Sequence, residues 1–132
     1  MIAALLISVS MLWQVMLTTE WYQSCDIAHI VLPTTDYMFA PTEDKTRRGL
    51  DFMRENVEKG NTVYVHCKAG RGRSTTLVLC YLVEYENMTP VEARDFVREK
   101  RPQIRLANAQ WDAVLQWYNR VKQRGDALPQ EN

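Results

Sequence analysis

The chain has 132 residues, 46% of them apolar, with 16 basic residues balanced by 16 acidic ones. That length gives one domain with a core of its own and excludes two. Zero net charge argues against a dedicated nucleic-acid binder, and three cysteines without paired spacing fit neither a disulfide framework nor a zinc knuckle. A reducing intracellular compartment suits such a chain.

Taken in chain order, Met1 to Leu17 is apolar except for Ser8, Ser10 and Gln14. As a helix it would span roughly 26 Å, short of a bilayer core. A buried strand or helix of the domain is favoured over a membrane-contacting segment. The start has no basic residue, so it reads neither as a mitochondrial presequence nor as a signal peptide. Ile27 to Leu32 is a short apolar run closed by Pro33, and it predicts a buried strand. Thr34 to Pro41 is a loop. Thr42 then caps a helix with Glu43 and Asp44 in its first turn and Leu50, Met53 and Val57 on one face; Gly60 ends it. Thr62 to Val65 is the next strand. Ser74 to Val83 reads as a buried helix. Thr89-Pro90-Val91-Glu92 is a capping box that opens another, which stops before Pro102. Asn108 caps the last helix, on which Trp111, Val114, Leu115 and Tyr118 recur at helical spacing. Gly125 to Asn132 is a polar tail. This order predicts an α/β layer of parallel strands, with the strands at 27–32 and 62–65 side by side.

The chemistry lies in Val63-Tyr64-Val65-His66-Cys67-Lys68-Ala69-Gly70-Arg71-Gly72-Arg73-Ser74-Thr75. A strand runs into a tight loop, and a helix begins at the loop's end. Inward-facing backbone amides and the helix dipole make such a turn an anion cradle. Gly70 and Gly72 are expected to supply backbone conformations closed to bulkier residues. The same field acts on a thiol, so Cys67 is expected below the free value of about 8.5 and ionised at neutral pH. Arg73 can grip two phosphate oxygens with its fork. Ser74 is within reach of the sulfur and can stabilise its anion when it leaves. The pattern His-Cys-x-x-Gly-x-x-Arg-Ser/Thr arises by chance on the order of once in 10⁵ such chains, from average residue usage. A nucleotide P-loop is excluded, because no Gly-Lys-Ser/Thr closes the turn.

His66-Cys67-x5-Arg73-Ser74 resembles the signature of cysteine-dependent protein tyrosine and dual-specificity phosphatases. Pro33-Thr34-Thr35-Asp36-Tyr37, Tyr64 to Arg71, Ser74-Thr75-Thr76, Tyr81-Leu82-Val83, Met88-Thr89-Pro90, Arg101-Pro102 and Gln110-Trp111 are similar to one branch. That branch is the mitochondrial phosphatases of phosphatidylglycerophosphate, in particular their plant members. The resemblance covers about Trp21 to Lys122. It implies a three-layer α/β phosphatase fold, with a central, mostly parallel sheet flanked by helices and with N-terminal edge strands missing or rebuilt. It divides the chain into an apolar segment, 1–20, a catalytic domain, 21–124, and the tail, 125–132.

The resemblance further implies a metal-independent phosphate monoester hydrolase. Cys67 is its nucleophile, Arg73 its phosphoryl-binding group, and Asp36 its general acid and later base. Asp26 and Asp44 are the alternatives to Asp36. No cofactor is implied, because the loop and Arg73 supply the charge a metal would bring. His66 is expected to orient the loop through hydrogen bonds. Lys68, Ala69, Gly70, Arg71, Gly72 and Arg73 are expected to hold the phosphate, and the extra cations Lys68 and Arg71 favour a substrate with more than one anionic group. The expected partner is therefore an anionic phospholipid, phosphatidylglycerophosphate first, met at a mitochondrial membrane surface by a monomer; no nucleic acid is expected. A phosphoprotein substrate is the alternative, and an inactive phosphate-binding module is a third. Cys25 and Cys80 are expected in the core, as is the stripe Trp111, Trp117 and Tyr118. Gln110 either positions water or packs at a helix start.

Overall fold

The structure is a computed structural model that describes residues 2–7, 19–34, 40–67 and 71–127. Three parallel strands, β1 (Ile2–Ile7), β2 (His29–Leu32) and β3 (Thr62–His66), form a sheet in the order β2-β1-β3. Ala4 pairs with both His29 and Tyr64 in register, and Leu6 with both Val31 and His66. The strands expected to be neighbours, β2 and β3, are therefore separated by β1. The cause lies in the sequence Ile-Ala-Ala-Leu-Leu-Ile. A central parallel strand is covered on both faces, so it reads as an unbroken apolar run with no alternation to distinguish it from a buried helix.

Helix α1 (Thr19–Ser24), unforeseen in the sequence, returns the chain to β2. Asp26, at φ 57°, turns the chain out of it. Tyr22 of α1 stacks on His29 at 4.1 Å, which places α1 against the face of β2 opposite Leu32. The other face is packed by α2 (Glu43–Glu58) and α3 (Arg73–Tyr85), followed outward by α4 (Pro90–Lys100) and α5 (Asn108–Ala127). Leu32, Leu50, Leu77, Leu79 and Val114 are fully buried between these layers. Each contributes about 1.5–3 kcal/mol by leaving water. Gly49 lets α2 approach closely, because a Cβ there would stand 2.8 Å from Leu32 Cδ1 and 2.9 Å from Leu77 Cδ2.

Local chemistry sets the helix ends. Thr42 accepts from the Lys45 amide, and Thr89 with Glu92 forms both halves of a capping box. Val57, expected on the buried face of α2, is exposed; Asn56 is buried in its stead, donating to the Phe52 carbonyl and accepting from Asn61 to close the turn. Leu115 of α5 is likewise partly exposed. At α5 the cap differs from expectation. Asn108 is already inside the helix, and Ala107, with no side chain able to cap, has its amide satisfied at 2.8 Å by Oε1 of Gln110.

Candidate active site

Cys67 is the first residue past β3 and Arg73 the first of α3, so the sheet and the most buried helix of the core together fix the two ends of the loop. Cys67, Arg73 and Ser74 are all buried, at 7%, 5% and 5% exposure. The Cys67 Sγ lies 3.2 Å from the Ser74 Oγ. This contact sets the first turn of α3 beside the end of β3.

The last peptide groups of the loop are oriented by hydroxyls. The Arg71 carbonyl accepts from Thr75 Oγ1 at 2.9 Å, and the Gly72 carbonyl from Thr76 Oγ1 at 2.7 Å and the Thr76 amide at 2.8 Å. A trans peptide is planar, with its C=O and N–H pointing in opposite directions. Drawing these two carbonyls down towards the helix therefore turns the amides of Gly72 and Arg73 the other way. Gly72, the N-cap, makes no side-chain cap bond to the first turn of α3, which leaves that turn suited to an anion.

A second segment braces the same two residues. The connection between α4 and α5 lies against the loop, with the Arg105 amide donating to the Arg71 carbonyl at 3.0 Å. Buried Gln110 packs its Oε1 against Gly72. This corrects the expected role of Gly72. Its backbone, at φ −119° and ψ −59°, is open to any residue. What demands glycine is space, since a Cβ would stand 2.3 Å from Gln110 Oε1 and 3.0 Å from the Arg105 carbonyl.

Of the remaining expected residues, Asp36, Lys68, Ala69 and Gly70 lie outside the described residues. Arg71 is exposed at the loop's rim. His66, expected to orient the loop by hydrogen bonds, stacks on Tyr64 with ring centroids 5.0 Å apart, and no hydrogen bond from its ring is found among the described residues. Burial holds its pKa below the ordinary histidine value. Burial does the same to His29, helped by the charge of His66. Cys80 is in the core, as expected, but Cys25 is exposed, because α1 ends there and the chain turns outward. Trp117 is buried and donates its indole N–H to Glu84 at 2.9 Å, while Trp111 and Tyr118 are half-buried. Asp26 occupies the left-handed turn after α1, and Asp44 the exposed first turn of α2.

The bracing role of Thr75, Thr76 and Arg105 was not foreseen. Hydroxyls four residues after a loop carbonyl are a readable signal, because Ser and Thr bond back to such carbonyls. Arg105 acts here through its backbone, which leaves no trace in residue type.

Comparison with known proteins accords with this geometry. The family model described as "Dual specificity phosphatase, catalytic domain" matches residues 5–120. The phosphatidylglycerophosphate phosphatase PTPMT1 of Arabidopsis thaliana is 47% identical over 107 residues, covering 81% of this chain and 32% of that protein. PTPMT2 of the same plant is 42% identical over 102 residues, covering 77% and 45%. The phosphatidylglycerophosphatase and protein-tyrosine phosphatase 1 of Rattus norvegicus is 31% identical over 107 residues, covering 81% and 55%. The chain thus spans between about a third and just over half the length of these relatives. Among solved structures, PTPMT1 in complex with PI(5)P superposes with a TM-score of 0.83 at 25% identity, over 94% of this chain and 81% of that one. The strand-loop-helix that carries Cys67, Arg73 and Ser74 falls inside the residues the family model matches, and the chain belongs to the dual-specificity phosphatase catalytic-domain family.

Proposed function

We propose that this chain hydrolyses phosphate monoesters through a phosphocysteine, and that its substrate is phosphatidylglycerophosphate, released as phosphatidylglycerol and inorganic phosphate. The observation that carries the reading is the buried trio at the start of α3, with the Cys67 sulfur 3.2 Å from the Ser74 hydroxyl and Arg73 opening the helix.

In the first step the Cys67 thiolate attacks phosphorus, a P–S bond forms, and the P–O bond to the alcohol breaks. Asp36 gives the departing oxygen its proton. Arg73 and the turned amides of Gly72 and Arg73 hold the equatorial oxygens, where charge develops. In the second step Asp36, now ionised, takes a proton from water as the water oxygen attacks phosphorus and the P–S bond breaks. Ser74 donates a hydrogen bond to the sulfur, keeping its own proton, and so stabilises the thiolate as it re-forms. The loop supplies the positive charge, so the reaction is metal-independent.

The lipid assignment is supported by kinship with the two plant phosphatidylglycerophosphate phosphatases. A mitochondrial membrane surface as the place of action belongs to the same proposal. No helix among the described residues is long and apolar enough to cross a membrane. A phosphoprotein substrate is the second reading, favoured by the double activity in the rat relative's name.

Turnover decides. The purified chain is expected to hydrolyse a generic aryl phosphate, sensitive to vanadate and insensitive to chelator, and Cys67→Ser is expected to abolish this. Hydrolysis of the lipid monoester in preference to a phosphotyrosine peptide supports the lipid assignment, and the reverse overturns it. Asp36→Asn should slow the alkyl ester by ~10²- to 10⁴-fold and an aryl ester much less, since only a poor leaving group needs the proton. Equal losses would remove Asp36 from the acid role.

A further inference from the structure

We infer that Arg105, together with Arg71, forms a second anion-binding rim at the mouth of the phosphate loop. It takes a phosphate group carried beside the one that is cleaved. The inference deepens the proposed function and rests on it for the identity of the reacting phosphate.

Three observations converge. First, Arg105 is tied to the loop itself. Its amide donates to the Arg71 carbonyl at 3.0 Å, so the two arginines leave the backbone from hydrogen-bonded residues on either side of one contact. Buried Ile104, just before it, anchors the segment in the core, and its amide closes a turn on the Arg101 carbonyl. The backbone at Arg105 is therefore held, and only its side chain is free to sample positions.

Second, both arginine side chains are exposed, and among the described residues neither is paired with a carboxylate. Elsewhere five arginines are paired. Arg47 meets Asp51 and Glu84, Arg54 meets Glu58, Arg94 meets Asp95, Arg120 meets Glu43 and Arg124 meets Glu84. Those five are neutralised by neighbours; Arg48 and Arg98 are exposed without a carboxylate partner among the described residues, as Arg71 and Arg105 are, and what sets Arg71 and Arg105 apart is that they meet at the loop.

Third, the chemistry of the position selects its ligand. The phosphate to be cleaved occupies the cradle between Cys67 and Arg73, which is buried. A group bound by Arg71 and Arg105 lies outside that cradle, so it must be a second anion, distinct from the phosphate that is cleaved. Two guanidinium forks suit a phosphate with at least two free oxygens, such as a phosphodiester. A substrate with a single phosphate cannot reach both places. The second phosphate can be the diester of the substrate's own headgroup or that of a neighbouring anionic lipid, and the experiment separates the two.

Inhibition of aryl phosphate hydrolysis is measured with orthophosphate and with glycerol 1,3-bisphosphate, in the wild-type chain and in Arg105→Gln, Arg105→Lys and Arg98→Gln. The expected result is at least fivefold weaker inhibition by the bisphosphate in Arg105→Gln, less than twofold change for orthophosphate, partial recovery in Arg105→Lys, and no change in Arg98→Gln. The bisphosphate effect should shrink as salt rises. An equal loss for both anions, which would mean that the loop itself is disturbed, overturns the inference; so does no loss for either. The source is read from KM. A rise in Arg105→Gln on a monomeric short-chain phosphatidylglycerophosphate assigns the second anion to the substrate. A rise seen only with long-chain substrate in vesicles containing added phosphatidylglycerol assigns it to neighbouring lipids. Should neither lipid be hydrolysed while the bisphosphate effect persists, the rim stands and the lipid assignment falls.

Discussion

Two buried cysteines lie against the two halves of helix α3, Cys67 beside its N-terminal end and Cys80 within its C-terminal half, in opposite settings. At the N-terminal end Cys67 faces the Ser74 hydroxyl across 3.2 Å, beside Arg73 and the open first turn of the helix. In the C-terminal half Cys80 is 1% exposed among Leu50, Val83 and Trp117, with Glu84 one turn further on. Burial and that neighbouring carboxylate push its thiol up to about 12. Depth is nearly the same at the two sites, so depth does not decide the chemistry. What differs is the direction of the surrounding dipoles: amides and a guanidinium on one side, apolar carbon and a carboxylate on the other.

The largest difference should appear in reactivity. In a Cys25→Ser background, which removes the exposed thiol, iodoacetate at pH 7 should alkylate Cys67 at least ~100-fold faster than Cys80, read by peptide mass mapping. Orthophosphate should protect Cys67, because it fills the cradle. Comparable rates at the two sites would erase the distinction and with it the nucleophile.

Next in size is the effect of filling the space at Gly72. Gly72→Ala leaves a backbone that alanine tolerates but drives its Cβ against Gln110 Oε1 and the Arg105 carbonyl. The loop or the brace must move, and misplacing the phosphate by about 1 Å costs ~100-fold in kcat. Adding Gln110→Ala should recover part of the loss, since it removes the closer clash and leaves the one with the Arg105 carbonyl at 3.0 Å. Full activity in Gly72→Ala would show that the brace yields freely and does not position the loop.

These two ends also differ in how legible they were. Cys67, Arg73 and Ser74 could be read because an anion cradle demands particular residue types at fixed spacing, and the chain can satisfy that demand locally. The helices were equally plain where caps were explicit, as at Thr42 and Thr89. Sheet order was not legible. Whether β1 lies between β2 and β3 depends on pairing across the whole chain, and its apolar run carries no face preference. The brace was hidden for a related reason: the Arg105 amide and the space around Gly72 are properties of backbone and volume. Glu84 belongs to the same class. It accepts from Arg47 and Trp117 and forms an ion pair with Arg124; these lie 33 to 40 residues from it in sequence and meet it only in the fold.

The smallest expected effect concerns stability in alkali and isolates the Cys80 side of the comparison. In the unfolded chain this thiol ionises near 9.0, and in the folded protein near 12. The folded pKa is the higher one, so the contribution is fully present below pH 9. It is lost as pH rises through 12, because the unfolded state sheds its proton first and is favoured by doing so. One proton of linkage costs about 1.4 kcal/mol per pH unit within that window. Tyrosines and lysines titrate there as well, so the comparison is with Cys80→Ala. Its cavity lowers stability at every pH, but its urea midpoint should fall less steeply between pH 9 and 11 than that of the wild type. Parallel slopes would mean that Cys80 ionises as readily folded as unfolded, and that the apolar half of α3 does not hold its thiol neutral.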